Sequence, residues 1–348
     1  MNPGPASSRN ADHNHAVPPR HASAAPTLIG GRLFVWGSRT FVMGIVNVTP
    51  DSFSGDGLLS GASDTADTVG AVGAVGAVGA VGAAVAAAEA GRPANDPADQ
   101  ASVAEGAVLA AVDQARRMVA EGADIVDVGG ESTRPGHAAV SENEEASRVI
   151  PAIAAIRAAL PDTPISVDTS KPAVGAAALD AGASLLNDVW GVSPDDAMAR
   201  VAAARHVPLV LMHNRTEPLY VDLMAELLDD LSAAVERAVL AGMPAGNLIL
   251  DPGFGFGKTA EQNLVVLREL NRMRELGLPI LLGTSRKSTI GRVLGDLPPN
   301  ERLEGTLATT ALGIAAGVDM VRVHDVRANV RVARVCDAVL RPRPEVAS

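Results

Sequence analysis

Short apolar runs and longer amphipathic stretches alternate along the chain from Phe41 onward. The runs are Phe41–Asn47, Ile125–Gly130, Ile165–Thr169, Leu185–Val189, Pro208–His213, Leu248–Pro252, Pro279–Thr284 and Met320–His324. Each is continuously apolar, the pattern of parallel strands covered on both faces. Between them, apolar positions at helical spacing predict helices, among them Val103–Glu121, Glu144–Leu160, Leu223–Ala241, Glu261–Leu276, Arg302–Ala316 and Val326–Leu340. Gly122, Gly182, Gly242, Gly277 and Gly317 each follow a predicted helix end, where a left-handed residue closes the last turn. Eight strand–helix units predict a single α/β domain, a (β/α)8 barrel over residues 28–342. A doubly wound sheet is the alternative, with fewer strands. Leu28–Thr40 reads as a hairpin covering the N-terminal end of the barrel.

Three segments stand outside this rhythm. Residues 1–27, rich in Pro, Ala, Asn and His, read as a disordered extension without the apolar core of a signal peptide. Residues 343–348 read as a short tail. Residues 59–102 hold a Gly-Ala-Val repeat from Val69 to Gly82 and an Ala-rich run. Val69–Ala88 carries no charge, but Gly and Ala are too weakly apolar for a membrane span, and collagen triplets would carry proline. The expectation is a surface insertion after the first barrel strand, dispensable for turnover.

Composition narrows the function. A net charge of −11 with no basic run disfavours nucleic acid and anionic membranes as partners. One cysteine, Cys336, permits no intrachain disulfide and fits a reducing cytoplasm. Aromatics are 2% of the chain, yet Phe53, Trp190, Phe254 and Phe256 fall in loops after predicted strands. Aromatics there suggest walls for a flat ligand. All three lysines, Lys171, Lys258 and Lys287, also follow strands.

In this barrel the C-terminal strand ends build the site. Asp168, Asn187 with Asp188, Asp251, Lys287, and Arg322 with His324 occupy those positions on five strands. A lone Asp there is more often an N-cap, but five such strand ends exceed what capping explains. DPGFGFGK (251–258) lacks the ending of a phosphate loop and reads as a glycine turn holding Phe256 over a pocket. No triad order, cysteine nucleophile or zinc spacing is present. His213 reads as a hydrogen-bonded wall residue and His206 as a surface one.

MGIVNVTPDSFSGDG (43–57), GADIVDVGGESTRPG (122–136), SVDTSKP (166–172), LNDVWG (186–191), DPGFGFGKT (251–259), GTSRKS (283–288) and RVHDV (322–326) together resemble the dihydropteroate synthases, pterin-binding barrel enzymes. The resemblance spans roughly residues 28–340 apart from the insertion. One departure is SFSGDG, where the family commonly has SFSDGG.

The resemblance implies condensation of (7,8-dihydropterin-6-yl)methyl diphosphate with 4-aminobenzoate in folate biosynthesis. It implies pterin contacts from Asp168, Asn187, Asp251, Lys287 and Arg322, with Asp251 pairing to the amino-pyrimidinone edge and Arg322 lying against the ring face. Diphosphate contacts would come from Asn47, Thr133, Arg134, Arg322 and His324. Phe53, Pro135, Phe256 and Ser288 would hold the aminobenzoate. Arg134, Arg322, His324 and Lys287 carry the catalytic roles, Mg2+ is the expected cofactor with Asn47 as protein ligand, and a cytoplasmic homodimer is the expected assembly. Two rivals share the barrel: a pterin-binding methyltransferase, which needs no diphosphate site, and a non-catalytic paralogue.

Overall fold

The computed structural model describes residues 24–49, 97–131, 140–191 and 196–341. A hairpin, β1 (Thr27–Ile29) and β2 (Arg32–Phe34), precedes eight parallel strands. These are β3 (Phe41–Asn47), β4 (Ile125–Gly129), β5 (Ile165–Asp168), β6 (Leu185–Asp188), β7 (Leu209–Met212), β8 (Leu248–Asp251), β9 (Leu281–Leu282) and β10 (Met320–Val323). They neighbour one another in chain order, and β10 returns to pair with β3. A parallel bridge between Leu250 and Ile280 joins β8 to the start of β9, so the sheet closes on itself.

The helices are α1 (Pro97–Glu121), α2 (Glu142–Ala159), α3 (Pro172–Asp180), α4 (Ala197–Arg205), α5 (Leu223–Leu240), α6 (Ala260–Arg268), α7 (Ser288–Val293), α8 (Leu303–Ala316) and α9 (Val326–Leu340). Their starts are specified locally. Ser141 and Asp222 accept backbone N–H groups at the starts of α2 and α5, and Thr259 with Gln262 forms a capping box on α6. All five glycines expected past helix ends have φ between 69° and 114°.

The core has two shells, as the barrel predicts. Outward strand residues such as Val126, Val167, Leu186 and Leu250 pack with the helices. Inward residues at the strand starts, among them Met43, Ile125, Leu185, Val210, Ile249 and Met320, pack with Ile29, Phe34 and Trp36. The hairpin therefore plugs the N-terminal end. Gly30 and Gly31, both with positive φ, form its two-residue turn. The Thr27 hydroxyl donates to Gly246 O at 2.8 Å, and the Trp36 indole donates to Thr27 at 2.9 Å.

Four boundaries differ from the sequence reading. Thr27 is buried inside β1, so the extension drawn to residue 27 runs too far; the side-chain bonds just described hold it in place. The insertion drawn to residue 102 overlaps α1, which begins at Pro97; proline suits a first helical position, where no N–H partner is required. The helix predicted over Glu261–Leu276 divides into α6 and a 3-10 segment, Leu270–Leu276. Its three-residue period puts Leu270, Met273 and Leu276 on one face against the core. The run Pro279–Thr284 supplies only a two-residue strand. Residues 1–23, most of the 59–102 insertion and residues 343–348 lie outside the described residues. Among the described residues, no helix is long and apolar enough to cross a membrane.

Candidate active site

Strand alternation sets which side chains share the barrel interior, and along the inner face the chemistry changes with height. Ile125 is followed two residues on by Asp127, Ser166 by Asp168, Leu185 by Asn187, Ile249 by Asp251, and Met320 by Arg322 and then His324. The plugged end is apolar and the open end polar. Parallel register places Asn47, Gly129, Asp168 and Asn187 side by side on β3 to β6. Glycine leaves room in that row. A Cβ on Gly129 would stand 3.5 Å from Asp168 Cβ and 3.9 Å from Asn47 Oδ1, and one on Gly283 would stand between Asp251 and Arg322.

Arg322 organises the interior. Its Nε donates to Asp127 Oδ2 at 2.6 Å and its Nη2 to Asp168 Oδ2 at 2.5 Å. Asn187 Nδ2 donates to the same Asp127 oxygen at 3.3 Å. The other oxygens of Asp127 and Asp168, and the Ser166 hydroxyl, are buried without a hydrogen-bond partner. Asp251 accepts from Gly253 N at 2.6 Å, and Lys287 Nζ stands 3.7 Å from the centre of the Phe256 ring. His324 meets the Ser285 hydroxyl through Nδ1 at 3.0 Å. Ser288 is exposed at the first residue of α7.

Burial governs the electrostatics. It raises the Asp168 carboxyl to about 7, with Arg322 pulling down and Asp127 pushing up. It raises Asp251 to about 6 against the Gly253 hydrogen bond and the pull of Lys287 and Arg322. Burial works against the charge on Arg322, but Asp127 and Asp168 outweigh it and hold the guanidinium above its ordinary pKa. The mouth thus combines a fixed cation, two carboxyls that titrate near neutrality, an amide and an aromatic face. It suits a planar heterocycle with mixed donors and acceptors.

The structure brings Asn47, Asp168, Asn187, Asp251, Phe256, Lys287, Ser288, Arg322 and His324 to one end of the barrel. Phe53, Thr133, Arg134 and Pro135 lie outside the described residues. Two readings change. Phe254 is 1% exposed within the outer core and is not a ligand wall; the turn of Gly253 points it inward under the loop. Asp188 falls on the outer face of β6, where it accepts the Trp190 N–H at 3.0 Å and holds a turn. Arg322 commits two donors, Nε and Nη2, to carboxylates, in keeping with the expected contact of its flat face with a ring.

Asp127 was missed. Its signal was available, an acidic residue inside an apolar strand at the inward parity of Ile125. Lys171, which the sequence marks only as a loop lysine, is an ion-pair partner. It binds Glu131 at 2.6 Å and Glu145 at 2.5 Å, and Glu131 also accepts from Val140 N at 3.1 Å. A separate groove of about 390 Å3, between α1 and α9 and lined by Arg117, Arg327, Arg331 and Arg334, lies outside the barrel interior.

A family model described as pterin binding enzyme matches residues 100–324. The chain is 46% identical over 314 residues to a dihydropteroate synthase of Clostridium beijerinckii, covering 90% of this chain and 99% of that protein. It is 48% identical over 302 residues to the dihydropteroate synthase of Bacillus subtilis, covering 87% and 89%. In structure it is similar to the Xanthomonas albilineans dihydropteroate synthase in complex with 7,8-dihydropteroate, with a TM-score of 0.71, 36% identity and coverage of 92% and 100%.

Proposed function

The chain belongs to the dihydropteroate synthase family, and from that footing we propose that its barrel mouth joins (7,8-dihydropterin-6-yl)methyl diphosphate to 4-aminobenzoate, releasing diphosphate and 7,8-dihydropteroate. It is a transferase of folate biosynthesis. The observation that carries the reading is the inward polar ring around Arg322, built from residues of separate strands on an otherwise apolar barrel interior.

The pterin edge pairs with Asp251, since one carboxylate can accept two adjacent N–H groups. Asp168 and Asn187 line the same rim, and Lys287 donates to the ring carbonyl or nitrogen. A ring lacking these donors would leave buried groups unpaired, which is how such a site discriminates. The flat face of Arg322 stacks on the heterocycle, a contact worth about 1–2 kcal/mol when desolvated. The diphosphate meets Asn47, Arg322 and His324, with Thr133 and Arg134 as its further contacts. Phe256 forms one wall for the aminobenzoate, with Phe53 and Pro135, and Ser288 takes its carboxylate.

The aryl amine is a neutral nucleophile and needs no strong base. The barrier lies in departure of the diphosphate, whose developing charge Arg134, Arg322 and His324 offset. The electron-rich ring spreads positive charge at the methylene, so the path is dissociative, and water must be kept from the cation.

Mg2+ fits the donor set: the Asn47 side chain offers a hard oxygen beside Gly129 and Asp168. Among the described residues no three His, Cys, Asp or Glu side chains form a metal cluster, so Asn47 would hold the ion with substrate and water oxygens. Bound there, it would neutralise diphosphate charge. The homodimer would cover Leu312, Val335 and Val339, exposed apolar residues of α8 and α9.

Incubation with both substrates and Mg2+ tests the reaction. Equimolar dihydropteroate and diphosphate are expected; diphosphate release without dihydropteroate, or neither product, would refute it. A methyltransferase would act on methyl-tetrahydrofolate instead.

A further inference from the structure

The loop between β8 and α6 carries Phe256, and a side chain outside the reacting groups holds it. Lys258 Nζ lies 2.9 Å from His213 Nδ1, 3.1 Å from Gly253 O and 3.0 Å from Phe256 O, with His213 O at 3.5 Å. An ammonium has three N–H donors and no acceptor, so the three shorter contacts use it fully. The bond to Nδ1 assigns the imidazole proton to Nε2, which donates to Asp230 Oδ2 at 3.1 Å. Burial, together with the Lys258 charge, holds His213 down at about 4, so the ring stays a neutral acceptor.

Other ties converge on this loop. The Tyr220 hydroxyl donates to Gly257 O at 2.8 Å. A Cβ on Gly253 would stand 1.8 Å from His213 O, and one on Gly257 would stand 2.3 Å from Arg215 O. The loop therefore lies backbone against backbone on residues 213–215. Gly253, Gly255 and Gly257 have φ of 67°, 84° and 54°, which no regular element would hold.

We propose that Lys258, with His213 as its acceptor, is a positioning residue that sets the height of Phe256 at the barrel mouth and so the fit of the aminobenzoate. The proposal rests on the assignment of Phe256 to that substrate. A lysine here is an expensive anchor, because burial pulls its pKa down to about 7. An apolar side chain would fill the space at lower cost but could not tie Gly253 O and Phe256 O to one point. Lys287 Nζ adds a contact to the Phe256 ring itself, 3.7 Å from its centre. Movement of the loop would shift the second substrate's wall relative to the first substrate's rim.

A double-mutant cycle in the active chain separates positioning from plain stabilisation. Lys258→Met should raise KM for 4-aminobenzoate by about tenfold or more, because misplacement of about 1 Å is costly, and leave KM for the pterin diphosphate within about twofold. In a Phe256→Leu background, the same change should add less than about twofold. Equal rises in both KM values, or fully additive effects, would overturn the role. Should Lys258→Met fail to fold, Tyr220→Phe provides the check: a smaller rise confined to the aminobenzoate KM is expected, and no rise overturns the proposal. A wild-type chain that forms no dihydropteroate would remove the assigned reaction and this role with it. An active wild type whose constants Lys258→Met leaves unchanged would remove this role alone.

Discussion

Asp127 and Arg322, 195 residues apart in the chain, meet inside the barrel with Oδ2 2.6 Å from Nε. With Asp168 on the neighbouring Nη2, the two carboxylates fix the guanidinium plane through two adjacent donors. The cation is thus both part of the pterin site and the counter-charge for two buried carboxyls. Those two duties cannot be separated by removing it.

Arg322→Ala should therefore lose turnover by several orders of magnitude and stability as well. Stripping the partner from buried carboxylates costs about 3–5 kcal/mol. Urea unfolding together with initial rates checks both. Full activity would contradict the leaving-group role, and unchanged stability would contradict the ion pairing.

Pterin affinity should depend on pH through Asp251. Its carboxyl is raised to about 6 by burial, and the proposed ring contact needs the ionised form. Affinity by calorimetry should fall about tenfold per pH unit below that value and level off above it. A remaining inflection near 7 belongs to Asp168. Asp251→Asn should abolish most of the affinity and the lower inflection; a pH-independent wild type would displace the ring from Asp251.

Ligand-free stability should run the other way. Asp168 and Asp251 have pKa values raised from 3.8 to about 7 and about 6, so between these values the folded chain holds protons that the unfolded chain has lost. Stability therefore falls as pH rises through that window. Asp251→Asn should flatten the slope and stabilise the chain at pH 8 by on the order of 1 kcal/mol. Thermal melts at pH 5 and 8 report this, and a wild-type slope that Asp251→Asn leaves untouched would contradict it.

Lys171→Met should destabilise the fold by about 3–5 kcal/mol, because Glu145, 1% exposed, would lose the cation 2.5 Å from its carboxylate. Denaturant midpoints of Lys171→Met and of Lys171→Met with Glu145→Gln check it. The double variant should recover part of the loss.

Much of the architecture was legible because parallel strands and their helices differ in period and the glycines mark where helices stop. The site was legible where chemistry broke the apolar pattern at strand ends, as at Asp168, Asn187, Asp251 and Arg322. Asp127 escaped because it sits mid-strand among valines, where only counting inward parity from Ile125 exposes it. Phe254 and Phe256 are two residues apart in one glycine-rich loop, and sequence could not tell that one turns into the core and the other to the mouth. Pairings such as Lys171 with Glu145, or Lys258 with His213, depend on how loops of different strands dock, which no local pattern encodes.

The most direct measurement is a crystal structure of the chain with its pterin diphosphate substrate and Mg2+. The heterocycle is expected inside the barrel mouth, its amino-pyrimidinone edge on Asp251, its face on Arg322 and its diphosphate towards Asn47 and His324. A pterin bound outside the barrel, or with its edge away from Asp251 and Asp168, would contradict it.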